Sequence, residues 1–191
     1  MRPEYVAIMV AMAGYLGYLF ISGDPGNLTN VDGQRVQDLP SKDEAAERIS
    51  NIKSNIQKVI SLYKQEEYVS DKPTQLLVQR YKPTSIMENS VTSKDTSYSE
   101  NKGEKIVICM RNKNDPPAYP FIDMNTVMFV VLHEMAHLMT EELSSGSHTP
   151  AFWANFRRLL EDSTKVGIYN PVNYAKSPVD YCGMKITDSP L

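Results

Sequence analysis

Residues 124–140, MNTVMFVVLHEMAHLMT, are apolar at almost every position except two histidines and a glutamate. The run has helical length, and Asp123 or Asn125 stands where a cap belongs. A helix that is apolar on all sides is a buried helix. Burying two imidazoles and a carboxylate in it is costly unless something pairs them. His133 and His137 are four residues apart, so they lie one turn apart on a single face. The chain has three histidines in all, and the third, His148, falls within the same sixteen-residue window. Whatever fold forms must bury this helix and still give its polar groups a partner.

The spacing names the partner. Two imidazoles at i and i+4 can share one zinc ion, and Glu134, next to the first, is placed to hold a water at that ion and take its proton. A catalytic zinc has three protein ligands and one open position. Three sources for the third ligand can be compared. The pattern H-E-x-x-H-x-x-G-x-x-H fails, because Thr140 and Leu143 stand where it needs glycine and histidine. Glu161, on the following helix, shares a face with Ala154, Arg157 and Arg158, opposite Phe152, Phe156, Leu159 and Leu160, and so points to solvent. His148 remains. Ser-Ser-Gly-Ser at 144–147 lets the chain turn back, and Thr149-Pro150 then supplies an N-cap and a first-turn proline. The expected ligands are therefore His133, His137 and His148, with Glu134 as the catalytic base.

Upstream, Ser41-Lys42-Asp43-Glu44 reads as a capping box. Ile49, Ile52, Ile56, Val59, Ile60 and Tyr63 then recur at helical spacing, which predicts an amphipathic helix over 42–66. Residues 74–82 (TQLLVQRYK) read as a strand, 83–103 as a long polar loop or irregular hairpin, and 104–111 (EKIVICMR) as a second strand. Residues 24–40, rich in Gly, Asn, Asp and Pro, read as a tether.

The chain opens MRPEYVAIMVAMAGYLGYLFISGDPG, and residues 5–21 carry no charge. As a helix they span about 25 Å, close to the roughly 30 Å hydrocarbon core of a bilayer. With no small-x-small cleavage site after it, and apolar residues on every face, the run favours a retained membrane anchor (1–23) over a signal peptide or a core helix. Arg2 and the amino terminus favour a cytoplasmic N-terminus, with the domain 41–191 across the membrane. The net charge of −3, with no basic run, argues against nucleic acid as a partner. The two cysteines, Cys109 and Cys182, can form one bridge or be small buried hydrophobes; Cys109 lies in an apolar run, which favours the free, buried reading.

H-E-M-A-H at 133–137 followed by H-T-P-A-F-W at 148–153 resembles the zincin-like metallopeptidases of the SprT and WLM kind, over residues 104–166. Phe152-Trp153 match the aromatic pair that opens the helix after the third ligand in that family. Residues 170–190, with Tyr-Cys-Gly-Met at 181–184, are similar to metallopeptidases encoded by large DNA viruses. The resemblance implies an α+β, zincin-like domain: a long N-terminal helix, a small sheet, the HExxH helix and a C-terminal helix, here behind a single transmembrane helix. It implies an active-site helix packed under the sheet and strand 104–111 as the edge that receives substrate. The membrane anchor and the absence of a basic surface depart from the DNA-directed members, so the zinc site carries over and the DNA-linked substrate does not. The expected activity is hydrolysis of a peptide or protein substrate, with Tyr169, Tyr174 or Tyr181 as oxyanion donor. Two other classes stay open: a membrane protein of a viral particle or other larger assembly that keeps the fold without turnover, and a binding module whose zinc is structural and closed by Cys109 or Cys182.

Overall fold

The computed structural model describes residues 24–141 and 148–191. The uncharged run at 5–21 and the turn at 144–147 lie outside the described residues. Among the described residues no helix is long and apolar enough to cross a membrane.

The segment expected as a tether is a hairpin. Asp24–Val31 (β1) pairs antiparallel with Gln34–Asp38 (β2). Asp32 and Gly33 turn the chain with φ of 49° and 77°, the left-handed pair that a two-residue hairpin turn requires and that Asp-Gly supplies cheaply. Val36 and Gln37 of β2 are fully buried, so the hairpin is part of the domain.

The long helix α1 forms over Lys42–Tyr63 and buries the predicted isoleucine stripe. Its start differs from expectation. Ser41 has φ of 60° and its side chain caps nothing, while Glu44 pairs with Arg48 at 2.9 Å. The predicted strand at 74–82 is instead a helix, α2 (Lys72–Arg80). Asp71 caps it, accepting from the Thr74 backbone N–H at 3.1 Å, and Pro73 occupies its first turn. These start signals outweigh the strand-like Leu-Leu-Val within it.

The region expected as a long polar loop or irregular hairpin holds two short strands, β3 (Ile86–Glu88) and β4 (Tyr98–Glu100). They flank β5 (Lys105–Ile108) in the order β3-β5-β4, with β3 parallel and β4 antiparallel to it. β5 is therefore the centre of the sheet and cannot be the open edge expected at 104–111; β4, paired on one side only, takes that position. The buried helix α3 runs over Met124–Met139, capped by Asp123, which accepts from the Thr126 N–H at 2.9 Å. Helix α4, Pro150–Lys165, begins at Thr149, whose hydroxyl accepts from the Phe152 N–H at 3.3 Å. A last antiparallel hairpin, β6 (Val179–Tyr181) and β7 (Met184–Ile186), closes the fold.

The cysteines are buried as expected, but they are not free. Cys109, just after β5, is disulfide-bonded to Cys182 in the turn of the last hairpin. The fold brings together two positions 73 residues apart in sequence.

One ion pair is wholly buried. Arg111 Nε donates to Glu88 Oε1 at 2.8 Å, with both side chains almost inaccessible. Glu88 Oε2 also accepts from the Gln37 backbone N–H at 2.7 Å, and the Arg111 guanidinium stacks on Phe121 at 4.2 Å. Removing one partner strands a charge in the interior. Arg111→Met is expected to lose about 3–5 kcal/mol of stability in urea unfolding, and the double variant with Glu88→Gln to recover most of that loss.

Candidate metal centre

The capped start of α3 and its buried apolar faces fix where its polar face points. His133 and His137 share that face, and the Thr149-Pro150 start of α4 delivers His148 to the same point. The Nε2 atoms of His133 and His137 are 3.3 Å apart, and those of His148 and His133 are 3.1 Å apart. One ligand atom from each of the three rings lies within 4.8 Å of the others. The Phe152 ring backs all three imidazoles, with centroids 4.4 to 4.9 Å away. Glu161 is not among them: it is exposed and accepts from Arg157 Nε at 2.9 Å.

Burial pushes His133 down to about 3, helped by its two histidine neighbours. Burial also pushes His137 down to about 4, with His148 and Lys102 adding to the effect. Both rings are therefore neutral near pH 7, with lone pairs free to donate. Neutral imidazole nitrogens converging on one point are a donor set that suits zinc. The disulfide withdraws both cysteines from ligation, so no thiolate is available to close the site. Among the described residues this cluster could offer a metal three protein ligands, and no fourth His, Cys, Asp or Glu joins it.

Glu134 lies on the same helix, buried, and shares a cleft with His133 and His148. Burial lifts its carboxyl to about 7, against the pull of hydrogen bonds from the Ser99 side chain and backbone. Ser99 belongs to β4, so the open-edged strand runs directly beside the carboxylate.

The three tyrosines separate. The Tyr169 hydroxyl accepts from the Val172 N–H at 3.2 Å, and Tyr174 donates to Thr126 at 3.4 Å; neither lines the cleft. Tyr181 does. Its hydroxyl donates to the Cys109 carbonyl at 2.7 Å and is bonded to Ser97 Oγ at 2.6 Å.

Sequence reasoning missed the groups that hold the end of α3. Arg80 Nη1 donates to the carbonyls of Leu138 and Thr140, at 2.8 and 3.0 Å. Asn155 Nδ2 donates to the Met139 carbonyl at 3.3 Å. Gly103 packs so closely that a Cβ there would meet Leu138 Cδ2 at 2.8 Å. No local pattern marks these residues, because each acts across the fold on a helix distant in sequence.

A buried HExxH helix, a third histidine opening the next helix and a small mixed sheet over them define a metallopeptidase-like protein of zincin type. The family model of the WLM domain matches residues 79–178. The uncharacterized protein R325 of Acanthamoeba polyphaga mimivirus is 32% identical over 160 residues, covering 82% of this chain and 78% of that protein. The uncharacterized protein 136R of Invertebrate iridescent virus 6 is 35% identical over 74 residues, 39% of each chain. The crystal structure of Wss1 from Saccharomyces cerevisiae aligns with a TM-score of 0.47 at 20% identity, covering 66% of this chain and 82% of that one. The chain belongs to the WLM domain family.

The ligand set is open to a direct check. His148→Ala is expected to lose most of the bound zinc in elemental analysis, whereas Glu161→Ala keeps the content of the unsubstituted chain.

Proposed function

We propose that this protein is a zinc-dependent peptidase that hydrolyses peptide bonds and is tethered to a membrane by residues 5–21. One observation carries the reading: three imidazoles converge, two of them held neutral by burial, His133 and His148 share a cleft with the buried Glu134, and no fourth candidate ligand joins them among the described residues. His133, His137 and His148 would hold the metal, which when bound would supply a Lewis acid for the scissile carbonyl and for the attacking water.

Glu134 is the general base. Its carboxyl, buried in the cleft beside His133, takes the proton of the attacking water and returns it to the leaving amine. Ser99 holds that carboxyl in place. The open side of β4, Tyr98–Glu100, offers backbone groups with which an extended substrate can pair. Tyr181, the one tyrosine of the three beside the cleft, steadies the wall; its proton is engaged by Cys109.

The tether rests on the absence of charge in residues 5–21. The Cys109–Cys182 bond supports a domain outside the reducing cytosol, which agrees with a cytoplasmic N-terminus. The net charge of −3 favours a peptide or protein substrate over nucleic acid.

Glu134→Gln keeps the shape of the side chain but accepts no proton. It is expected to retain zinc and lower the rate of peptide cleavage by about 10²–10⁴-fold, read by mass spectrometry of a peptide mixture. Equal rates would remove Glu134 from the base role. The full-length chain is expected to stay with membranes through an alkaline carbonate wash, and a chain lacking residues 1–23 to be released.

A further inference from the structure

The cleft beside the histidines has one wall that lies beyond the family match. That match ends at residue 178, and the β6–β7 hairpin begins at Val179. Two adjacent residues lock this hairpin to the end of β5. Cys182 is bonded covalently to Cys109. Tyr181 donates to the Cys109 carbonyl, and Ser97 Oγ, itself bonded to the Tyr181 hydroxyl, accepts from the Cys109 N–H at 2.9 Å. The hairpin is thus a fixed wall.

The wall presents apolar side chains, with Lys185, Thr187 and Asp188 beside them. Met184 and Ile186 of β7 face the same cleft as Val130 of α3 and Trp153 and Phe156 of α4. Met184 is half exposed, and it is the one exposed large hydrophobic residue at the cleft among the described residues. The cleft measures about 290 Å³, whereas a protein cavity of roughly 150 Å³ already accepts a benzene ring. Asp188 stands at the rim, and Lys185 is paired with Asp180 at 2.8 Å. An acidic side chain would meet Asp188, and a small one would leave the apolar wall wet.

We propose that this cleft is the specificity subsite: it takes one large apolar side chain of the substrate, of the leucine, methionine or phenylalanine kind, next to the bond that is cut. This rests on the zinc-peptidase reading, since the histidines and Glu134 form one end of the same cleft. Trp153 on α4 and Met184 on the hairpin, which line the cleft together, are the residues that set the preference.

Trp153 is the single tryptophan of the chain, which makes it a built-in probe. The full-length chain in detergent, with zinc added, is titrated with the hydroxamates of glycine, aspartate, leucine and phenylalanine while Trp153 fluorescence is followed. The leucine and phenylalanine compounds are expected to bind at least about tenfold tighter than the glycine compound, as burial of an apolar side chain predicts, and to shift the Trp153 emission. The aspartate compound is expected to bind no better than glycine. Met184→Asp should remove most of the preference for phenylalanine over glycine, and Met184→Leu should keep it. Equal affinity for all four compounds overturns the subsite while leaving the metal centre intact. Binding of none of them overturns the zinc-peptidase reading, and the subsite falls with it.

Discussion

The buried pair of Glu88 and Arg111 is the joint on which the architecture turns. Glu88 ends β3 and holds the backbone of β2 through Gln37. Arg111 follows β5, lies on Phe121 and reaches the Ser41 carbonyl at the entry to α1, at 3.5 Å. Three segments far apart in sequence, 37–41, 86–88 and 111–121, therefore meet at one charge pair. Taking two charges out of water is expensive, and their attraction offsets that cost only when geometry and additional hydrogen bonds are good. Here both conditions hold, because Gln37 and Ser41 bring main-chain groups to the pair. Ser41 enters the helix through its main chain: its backbone is left-handed, and its carbonyl accepts from the Ala45 N–H at 3.0 Å.

The sheet fixed in this way forms the roof over α3. That helix is apolar enough to be buried anywhere, yet its chemistry needs a particular rotation about its axis. Packing against α2, α4 and the sheet sets the rotation, and Arg80 and Asn155 hold its last turn. Burial then acts on function. The environment that makes the helix stable also keeps His133 and His137 uncharged and lifts Glu134, so one physical cause acts on all three groups.

The site was more legible in the sequence than the fold around it. His133 and His137 announce themselves by spacing within an apolar helix, and His148 by the Thr149-Pro150 start that follows it; all of these are local signals. The ends of α3 and α4 were readable because Asp123 and Thr149 cap in place. Errors arose where local signals were short or were decided across the fold. Strands of three residues, such as β3 and β4, are too short to show a period. The Asp32-Gly33 turn was a true hairpin signal, hidden between strands with few apolar residues, one of which buries a glutamine. The Asp71 cap with Pro73 is followed closely by Leu76, Leu77 and Val78, a strand-like run that masks the helix start. Which strand is the sheet edge, and that Cys109 meets Cys182, depend on topology, and no window of sequence contains it.

The position of the disulfide has a consequence for a protein that would cut chains. Its two ends, at 109 and 182, bracket α3, α4 and all three histidines. A backbone break anywhere between them, self-inflicted or not, leaves one covalent molecule, with His148 still joined to the piece that carries His133 and His137. A nicked form would keep its parts at high mutual concentration and separate only once thiols were supplied. The bond makes the segment that carries the histidines a closed ring, and a ring can be opened once without being lost.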